Sequence, residues 1–308
     1  MTMKVVKKIK QMQKISDLLR KQNKKIGFVP TMGALHKGHI ELIKKAREEN
    51  DIVVVSIFVN PIQFGPKEDY KKYPRPIRQD LKICRENNVD YVFYPEVDEM
   101  YPPIDDTVSN SQSTLYNGKR ILTFVEVEKL QDILCGKFRP GHFRGVCTVV
   151  TKLFNIVKPH RAYFGEKDYQ QLKIIQRMVK DLNFDIEIIP VETVREDDGL
   201  ACSSRNTYLS KTEREVASYI YKSLLYCKQL IIAKKYNSIK KCIDVSKKYL
   251  HNLLFGVKHR IQYFEVYDEN LNPVSDKITK IPRGTKLRIF VAVYLGTTRL
   301  IDNIGFTL

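Results

Sequence analysis

The sequence predicts an α/β fold in which a parallel sheet is followed by a smaller α+β domain. Apolar runs of strand length alternate with helical stretches over residues 26–189, which is the pattern that βαβ units produce. After about Val191 the chain changes to lysine-rich helical segments and then to apolar, strand-like runs. We therefore expect a Rossmann-like domain over residues 1–192 and a smaller α+β domain over residues 193–308.

The elements of the first domain follow from the spacing of its apolar residues. A helix over residues 7–22 is predicted because Ile9, Met12 and Ile15 recur three residues apart. The run 52–59 is apolar at nearly every position, as expected of a strand that is covered on both faces. The other predicted elements are strand 26–29, helix 38–49, helix 76–88, strand 90–94, helix 146–157, strand 162–164, helix 169–182 and strand 186–189.

The second domain is predicted to begin with a loop. Charged and small residues fill positions 195–206, and lysine-rich helices are predicted over roughly 211–255. Apolar runs at 261–266, 287–295 and 300–304 predict three strands. Helices followed by consecutive strands indicate an α+β arrangement rather than further βαβ units.

The composition is that of a soluble globular protein. The chain has 308 residues, 43% of them apolar and 29% charged, which suits one large and one smaller domain. The apolar run 52–59 is far shorter than the roughly 20 residues of a spanning helix, and no apolar segment of a secretory signal follows the basic N-terminus. We expect a cytoplasmic location and no membrane partner. Six cysteines without a C-x-x-C pair predict free thiols.

A formal net charge of +18 has two interpretations. One is a polyanionic partner such as a nucleic acid. The other is a lysine-rich surface without a dedicated site. Lys-Lys pairs are spread along the chain, and no arginine-rich arm or basic and aromatic run is present. The distribution favours the second interpretation, so we expect no nucleic-acid partner.

The first candidate site follows the strand at 26–29. Residues 30–39 read P-T-M-G-A-L-H-K-G-H and lead into a predicted helix. In a doubly wound sheet, ligands lie at such junctions, and a helix N-terminus there attracts phosphate. His36 and His39 lie three residues apart, so one helical turn would place both on one side. An ordinary turn with two solvated histidines is the alternative; zinc is disfavoured because no third ligand is evident.

The run 30–39 resembles the signature of the pantothenate synthetase family, and its H-x-G-H part resembles the wider group of nucleotidylyltransferases and class I aminoacyl-tRNA synthetases. Other blocks resemble the family in the expected order, with coverage from about residue 26 to 304. They are 58–64 (F-V-N-P-I-Q-F), Tyr73-Pro74-Arg75 with Asp80, 139–143 (R-P-G-H-F) with Gly145, 164–171 (F-G-E-K-D-Y-Q-Q), 198–206 (D-G-L-A-C-S-S-R-N) and 299–303 (R-L-I-D-N).

The resemblance implies an enzyme that condenses pantoate with β-alanine through a pantoyl-adenylate, at the expense of ATP, with a second domain that closes over the ATP. It implies the catalytic residues His36, His39, Lys167, Ser203, Ser204 and Arg205. The implied ATP-binding residues are Met32, His39, Gly165, Lys167, Asp168, Val194, Cys202, Ser203, Ser204 and Arg205. Pantoate would contact Gln63, Gln171 and Met32, with Asn60, Tyr73, His142 and Arg139 nearby. Mg²⁺ held mainly by ATP phosphates and a homodimer are implied too.

Several assignments stay open. Asp168 could bind ribose hydroxyls or cap the helix that begins at Tyr169, and Asp80 could be an exposed helix carboxylate. The segment 102–122 is longer than in the family. Cys202 replaces a larger apolar residue, which predicts looser adenine packing and sensitivity to thiol reagents.

Two other functions are compatible with the fold. One is another adenylate-forming or nucleotidyl-transferring enzyme, against which the blocks around Gln63 and Gln171 argue, because H-x-G-H alone is shared more widely. The other is a non-catalytic, basic nucleic-acid-binding protein. The intact histidine pair, with Lys167 and Arg205, argues against that alternative.

Overall fold

The computed structural model describes residues 2–66, 68–102, 115–116 and 119–308. It divides into two compact units. The first unit comprises the chain up to Glu166 together with Ile174–Val191, and the second comprises Lys167–Lys173 and Glu192–Leu308. The short segment Lys167–Lys173, which lies before the boundary expected from the sequence, therefore clusters with the second unit.

The first unit contains a six-stranded, all-parallel sheet with the strand order β1-β4-β3-β2-β7-β8. Its core strand β3 is buried along its whole length, as its continuous apolar sequence predicts. The strands are β1 (Lys4–Val6), β2 (Ile26–Thr31), β3 (Ile52–Ile57), β4 (Tyr91–Phe93), β7 (Arg161–Gly165) and β8 (Glu187–Val191), and β5 (Leu115–Tyr116) and β6 (Lys119–Arg120) form a separate antiparallel pair.

Helices cover the parallel sheet. The buried side chains Ile43 and Ala46 of one helix pack with Val53 and Val55 of β3 in a shared apolar cluster, since apolar residues at helical spacing form one face. The helices are α1 (Ile9–Lys21), α2 (Lys37–Glu49), α3 (Ile77–Glu86), α4 (Val97–Met100), α5 (Leu134–Phe138), α6 (His142–Val157) and α7 (Tyr169–Asp181).

The second unit combines helices with a three-stranded antiparallel sheet in the order β11-β10-β9. Leu224 and Ile231 from one helix join Ile289 and Val291 of the central strand in its core. Gly296, with φ of +54°, lies in the tight turn between the last two strands, where glycine adopts positive φ without steric cost. The elements are α8 (Lys211–Ala217), α9 (Tyr219–Ile232), α10 (Ile239–Leu253), β9 (His259–Asp268), β10 (Lys286–Leu295) and β11 (Thr298–Thr307).

The predicted fold class is confirmed, and the boundaries of most predicted elements agree within a few residues. The sequence did not predict β1, because Lys4 and Val5 of this edge strand are exposed and only Val6 is buried. Helix α6 begins four residues before the predicted start, directly after Gly141, whose φ is +78°. The predicted long segment 102–122 falls largely outside the described residues.

Two predictions about composition can also be compared with the structure. All six cysteines are free and buried, which confirms the expectation of unpaired thiols. Among the described residues, no helix has both the length and the apolar character needed to cross a bilayer.

Candidate active site

The strand order places the candidate site at the switch point of the sheet. From β2 the chain proceeds to β3 and β4 on one side, whereas β7 pairs with β2 on the other side. The register pairs Gly27 with Arg161, so Thr31 at the end of β2 lies level with Gly165 at the end of β7. Ligands of doubly wound folds bind at this position, outside the carboxyl ends of the strands. A Cβ atom added to Gly165 would meet nothing within 4 Å, so the end of β7 is open.

The loop after β2 has a fixed, left-handed backbone. Gly33 and Ala34 have φ values of +81° and +50°, a region that a residue with a side chain rarely adopts. A Cβ atom on Gly33 would lie 2.9 Å from Asp80 Oδ2, so this position requires glycine. Asp80 accepts the backbone N–H of Ala34 at 2.9 Å and that of Leu35 at 2.8 Å. These hydrogen bonds hold the turn that presents His36.

Asp80 is therefore not the exposed helix carboxylate that the sequence suggested. It lies on α3 with 1% of its surface exposed. Burial raises the pKa of its carboxyl group, while the hydrogen bonds from Leu35 and Ala34 lower it. The backbone N–H groups of Ala34 and Leu35 need an acceptor, and Asp80 supplies it from α3. No local pattern in the sequence indicates this contact. We identify Asp80 as a support of the histidine loop.

His36 and His39 are held together at the start of α2. The Nδ1 atom of His36 accepts the N–H of Gly38 at 3.1 Å, and the Nδ1 atom of His39 accepts the N–H of His36 at 3.3 Å. The ring centroids lie 4.1 Å apart. Because both Nδ1 atoms accept hydrogen bonds, the proton of each neutral ring must be on Nε2. Both imidazoles are therefore oriented as Nε2–H donors beside a helix N-terminus.

Gln63 lies in a short 3₁₀ turn after β3, next to the histidine loop. Its Nε2 atom contacts the Sδ atom of Met32 at 3.2 Å, and its Oε1 atom accepts from Asn60 Nδ2 at 2.9 Å. The Oδ1 atom of Asn60 accepts the hydroxyl of Tyr101 at 2.9 Å. The structure thus brings three predicted residues together and adds Tyr101, for which the sequence carried no signal because it precedes a segment that looks like a surface loop.

Two further predicted residues support the Gln63 turn, His142 at the start of α6 and Arg139 just before that helix. His142 Nδ1 lies 2.8 Å from the backbone oxygen of Gln63, and its Nε2 lies 2.9 Å from Arg139 Nη1. Arg139 also forms a two-pronged ion pair with Glu68, with both N–O distances at 2.7 Å. A guanidinium that is already paired with a carboxylate in this way is a structural group. Glu68 was not among the residues predicted from the sequence.

Tyr73 and Gly145 complete the surroundings of this turn. Tyr73 is 5% exposed and packs edge-on against Phe64, with ring centroids 5.9 Å apart. A Cβ atom on Gly145 would lie 2.5 Å from the backbone oxygen of Ile62 and 2.7 Å from Gln63 Cα. Since real Cβ atoms do not approach backbone this closely, α6 can pack on the turn only with glycine at position 145.

The second unit contains the remaining predicted residues in two places. Lys167 and Asp168 lie just before α7, with Lys167 Nζ 3.6 Å from Asp168 Oδ2. Asn303 Nδ2 donates to the backbone oxygen of Lys167 at 2.9 Å, which ties this segment to β11. Gln171 lies in the first turn of α7 and is half-buried. Asp168 is about half exposed, and both of its predicted roles stay open.

The loop 194–206 is a compact structure. Cys202 N donates to the backbone oxygen of Val194 at 2.9 Å, and Ser203 Oγ accepts from Arg205 N at 3.3 Å as the cap of the turn Ser204–Tyr208.

The base of the loop 194–206 is fixed by Arg195, which forms a two-pronged ion pair with Asp302 at N–O distances of 2.7 and 2.9 Å. Asp302 is buried, and burial raises its pKa while Arg195 lowers it.

Cys202 itself is 3% exposed, and its Sγ atom lies 3.4 Å from Glu196 Oε1. A buried thiol reacts with thiol reagents only when the surrounding structure opens. This burial argues against the sensitivity to thiol reagents that the sequence suggested.

No group of three or more His, Cys, Asp or Glu side chains in the described part of the chain is arranged to hold a metal ion. The available donors are instead the imidazole, hydroxyl, amide and cationic groups described above, which suit anionic and carboxylic ligands.

Comparison with known proteins identifies the family. Residues 4–305 match the family described as Pantoate-beta-alanine ligase. The pantothenate synthetase of Thermosipho africanus is 53% identical over 302 residues, which cover 98% of this chain and 99% of the relative. That of Sulfurihydrogenibium sp. is 50% identical over 307 residues, with 99% and 100% covered.

Solved structures agree with these relatives. A pantothenate synthetase from Thermus thermophilus has a TM-score of 0.82 and 41% identity, with 98% of this chain and 99% of that chain covered. A pantoate-beta-alanine ligase from Francisella tularensis, in complex with β-γ ATP and β-alanine, has a TM-score of 0.76 and 39% identity, with 98% and 97% covered. The resemblance seen in the sequence motifs is confirmed: the chain belongs to the pantoate–β-alanine ligase family.

Proposed function

We propose that this protein condenses pantoate with β-alanine to pantothenate, with ATP converted to AMP and pyrophosphate. One observation carries the proposal. The loop that carries the histidine pair follows β2, the Gln63 turn follows the adjacent strand β3, and Met32 of that loop contacts Gln63. This contact supports the proposal, because adenylation of a hydroxy acid requires donors for the phosphates near an amide that can bind the acid.

In the first step, a carboxylate oxygen of pantoate attacks the α-phosphorus of ATP, and the bond to the pyrophosphate oxygen breaks. The products are pantoyl-adenylate and pyrophosphate. The Nε2–H groups of His36 and His39 would stabilise the charge that develops on the phosphate oxygens. We propose that Lys167 binds the triphosphate as a point charge, and that Ser203, Ser204 and Arg205 bind phosphate oxygens.

In the second step, the uncharged amine of β-alanine attacks the carbonyl carbon of the adenylate. The carbon–oxygen bond to the phosphate breaks, AMP leaves, and the nitrogen loses a proton as the amide forms. Such a reaction depends more on positioning than on a covalent enzyme nucleophile. Exclusion of water would protect the adenylate from hydrolysis.

For the pantoate site we propose Gln63 and Gln171 as polar contacts and Met32 as the apolar wall. The structural positions suggest a division among the neighbouring candidates. Asn60 and His142 hold Gln63, whereas Arg139 is paired with Glu68. We therefore propose that Arg139 acts by supporting the turn through His142 rather than by contacting pantoate. Tyr73 would shape the apolar side of the turn.

For the nucleotide we propose contacts from Met32, His39, Gly165, Lys167, Asp168, Val194 and Cys202. Mg²⁺ would enter with ATP and neutralise part of its phosphate charge. We further propose a homodimer, which rests on the family resemblance, and a cytoplasmic location, which the composition led us to expect.

The decisive experiment measures pyrophosphate release and product mass with ATP, Mg²⁺ and pantoate, with and without β-alanine. Wild-type protein should form pantothenate and AMP, and His39→Ala should lose most of this activity. Pyrophosphate release without amide would retain the adenylation but exclude β-alanine as the acceptor. Folded protein that binds ATP without turnover would overturn the proposal in favour of another acid substrate or a non-catalytic role.

A further inference from the structure

Tyr101 ends a chain of buried hydrogen bonds that leads to Gln63. Its hydroxyl donates to Asn60 Oδ1 at 2.9 Å, and Asn60 Nδ2 donates to Gln63 Oε1 at 2.9 Å. The exposed fractions of Tyr101, Asn60 and Gln63 are 3%, 1% and 8%. Buried polar groups depend on such partners, because a buried group that is left unpaired destabilises the folded protein.

The direction of this chain is fixed at Asn60. Its Nδ2 atom also lies 3.1 Å from the backbone oxygen of Gly145, and a carbonyl oxygen can only accept. The amide nitrogen of Asn60 must therefore face Gly145, and its oxygen must face Tyr101. The second N–H of that nitrogen donates a hydrogen bond to Gln63 Oε1.

The orientation of Gln63 follows. With Oε1 occupied by Asn60, its Nε2 donors point toward the side of Met32. A glutamine amide can otherwise present either end to a ligand. The hydrogen bonds thus present the amide nitrogen of Gln63 to a ligand. This donor recognises an acceptor oxygen, such as that of a carboxylate or a hydroxyl.

Tyr101 is suited to this role because it remains a donor. Burial raises the pKa of its hydroxyl, which favours the protonated form that donates to Asn60. Its ring lies beside Phe58, with centroids 6.1 Å apart. The ring and the hydroxyl are both held in place.

We propose that Tyr101 is a positioning residue that acts through Asn60 to hold Gln63 as a hydrogen-bond donor to an acceptor oxygen of pantoate. The inference rests on the proposed function, in which Gln63 contacts the acid substrate. It adds a residue that the sequence motifs did not indicate, and it makes Gln63 the donor and pantoate the acceptor in their hydrogen bond.

The kinetic test compares Tyr101→Phe with Tyr163→Phe. Tyr163 is the matched control because it is fully buried, and its hydroxyl is likewise hydrogen-bonded, to Asn50 and Glu49 at 2.7 and 2.8 Å. We expect Tyr101→Phe to raise KM for pantoate roughly three- to tenfold, the effect of one net hydrogen bond. KM for ATP and kcat should stay within about twofold, and Tyr163→Phe should leave all three within that range. An unchanged KM for pantoate in Tyr101→Phe, or equal changes in both KM values, would overturn the proposal.

A second measurement does not depend on turnover. In protein labelled with ¹⁵N-glutamine, the side-chain NH₂ signals of Gln63 can be assigned by their loss in Gln63→Glu. These signals should shift or broaden in Tyr101→Phe and stay unchanged in Tyr163→Phe. Unchanged Gln63 signals in Tyr101→Phe would refute the positioning role. If wild-type protein does not use pantoate but the signals respond as expected, the positioning of Gln63 stands while the proposed substrate fails.

Discussion

At the scale of single residues, the histidine pair shows how backbone contacts determine side-chain chemistry. The Nδ1 atoms of His36 and His39 accept backbone N–H groups, so each neutral ring carries its proton on Nε2. The H-x-G-H spacing in the sequence predicted that the two rings would lie on one side. It did not predict their tautomers, because these depend on the bend of the backbone at the start of α2.

Two substitutions of His39 separate its structural and chemical contributions. In His39→Asn, the side-chain oxygen can replace Nδ1 as the acceptor for His36 N–H, but no donor remains at the Nε2 position. We expect Tm near that of the wild type and a loss in kcat of about 10²–10³, the effect of removing one preorganised donor. Steady-state assays of AMP formation and thermal unfolding measure both quantities.

His39→Gln is the control for that experiment. Its amide nitrogen lies near the position of Nε2, whereas the acceptor for His36 N–H is lost. We expect it to retain more activity and to lose more stability than His39→Asn. Full activity of His39→Asn would show that the Nε2–H group does not take part in the reaction.

Asp80→Asn tests the support of the histidine loop. The amide can accept only one of the two N–H groups that Asp80 now accepts from Ala34 and Leu35, so one buried donor loses its partner. We expect a loss of about 1–3 kcal/mol in the free energy of unfolding. We also expect kcat/KM for ATP to fall roughly ten- to a hundredfold, because the histidines are displaced.

Asp181→Asn is the matched control for Asp80→Asn, since Asp181 forms an exposed pair with Arg177 on α7, and such pairs contribute less than about 1 kcal/mol. Urea unfolding and steady-state kinetics of both variants give the comparison. Equal effects of the two substitutions would contradict the support role of Asp80.

At the scale of elements, the sequence pattern predicted those helices and strands that are determined by residues close together in the chain. The bounds of α2 and β3 agree closely with the prediction, because a continuous apolar strand and an amphipathic helix carry their own signal. Asp80 and Tyr101 could not be predicted in the same way. Their partners lie 46 and 41 residues away in the chain, and only the order of the strands brings them together. The fold class was thus predictable, whereas the support of the site was not.

The junction between β2 and β7 predicts a pH-dependent stability. The Nδ1 atom of His160 accepts the N–H of Ile26 at 3.0 Å. Burial is the main cause of the lowered pKa of His160, with Arg20 adding to it and Asp185 opposing it. As the pH falls, the unfolded chain, in which the imidazole pKa is near 6.5, therefore takes up the proton before the folded protein does. The contribution of His160 to stability is fully present above about pH 6.5 and is lost as the pH falls through the lower pKa of the folded state.

His160→Asn isolates this contribution, because the asparagine oxygen can accept the N–H of Ile26 without titrating. The free energy of unfolding should be measured in urea between about pH 8 and pH 5. We expect the wild type to lose stability relative to His160→Asn on acidification. A difference between the two proteins that is constant across this pH range would contradict the assignment.

At the scale of the whole molecule, the basic charge is spread over both units. Lys44 pairs with Glu41 in the first unit, and Lys286 pairs with Glu269 in the second. These lysines are exposed, so each pair contributes little to stability and is screened by salt. Because each Lys–Glu pair is neutral, the net charge of +18 belongs to the remaining lysines and arginines, and the sequence places Lys-Lys pairs in both units.

This distribution predicts only weak, salt-dependent binding to RNA. A dispersed positive charge attracts phosphates without selecting a sequence or a shape, so binding to transfer RNA should have a Kd of about 10⁻⁴–10⁻⁶ M or weaker at physiological salt. The affinity for transfer RNA should fall steeply as salt is raised from roughly 50 to 200 mM, because counterion release drives such binding. Fluorescence anisotropy with labelled transfer RNA, beside a DNA duplex of similar charge as the control, measures both. A one-to-one complex well below micromolar Kd that prefers RNA over the duplex would require a dedicated basic surface, and the nucleic-acid-binding alternative would then return.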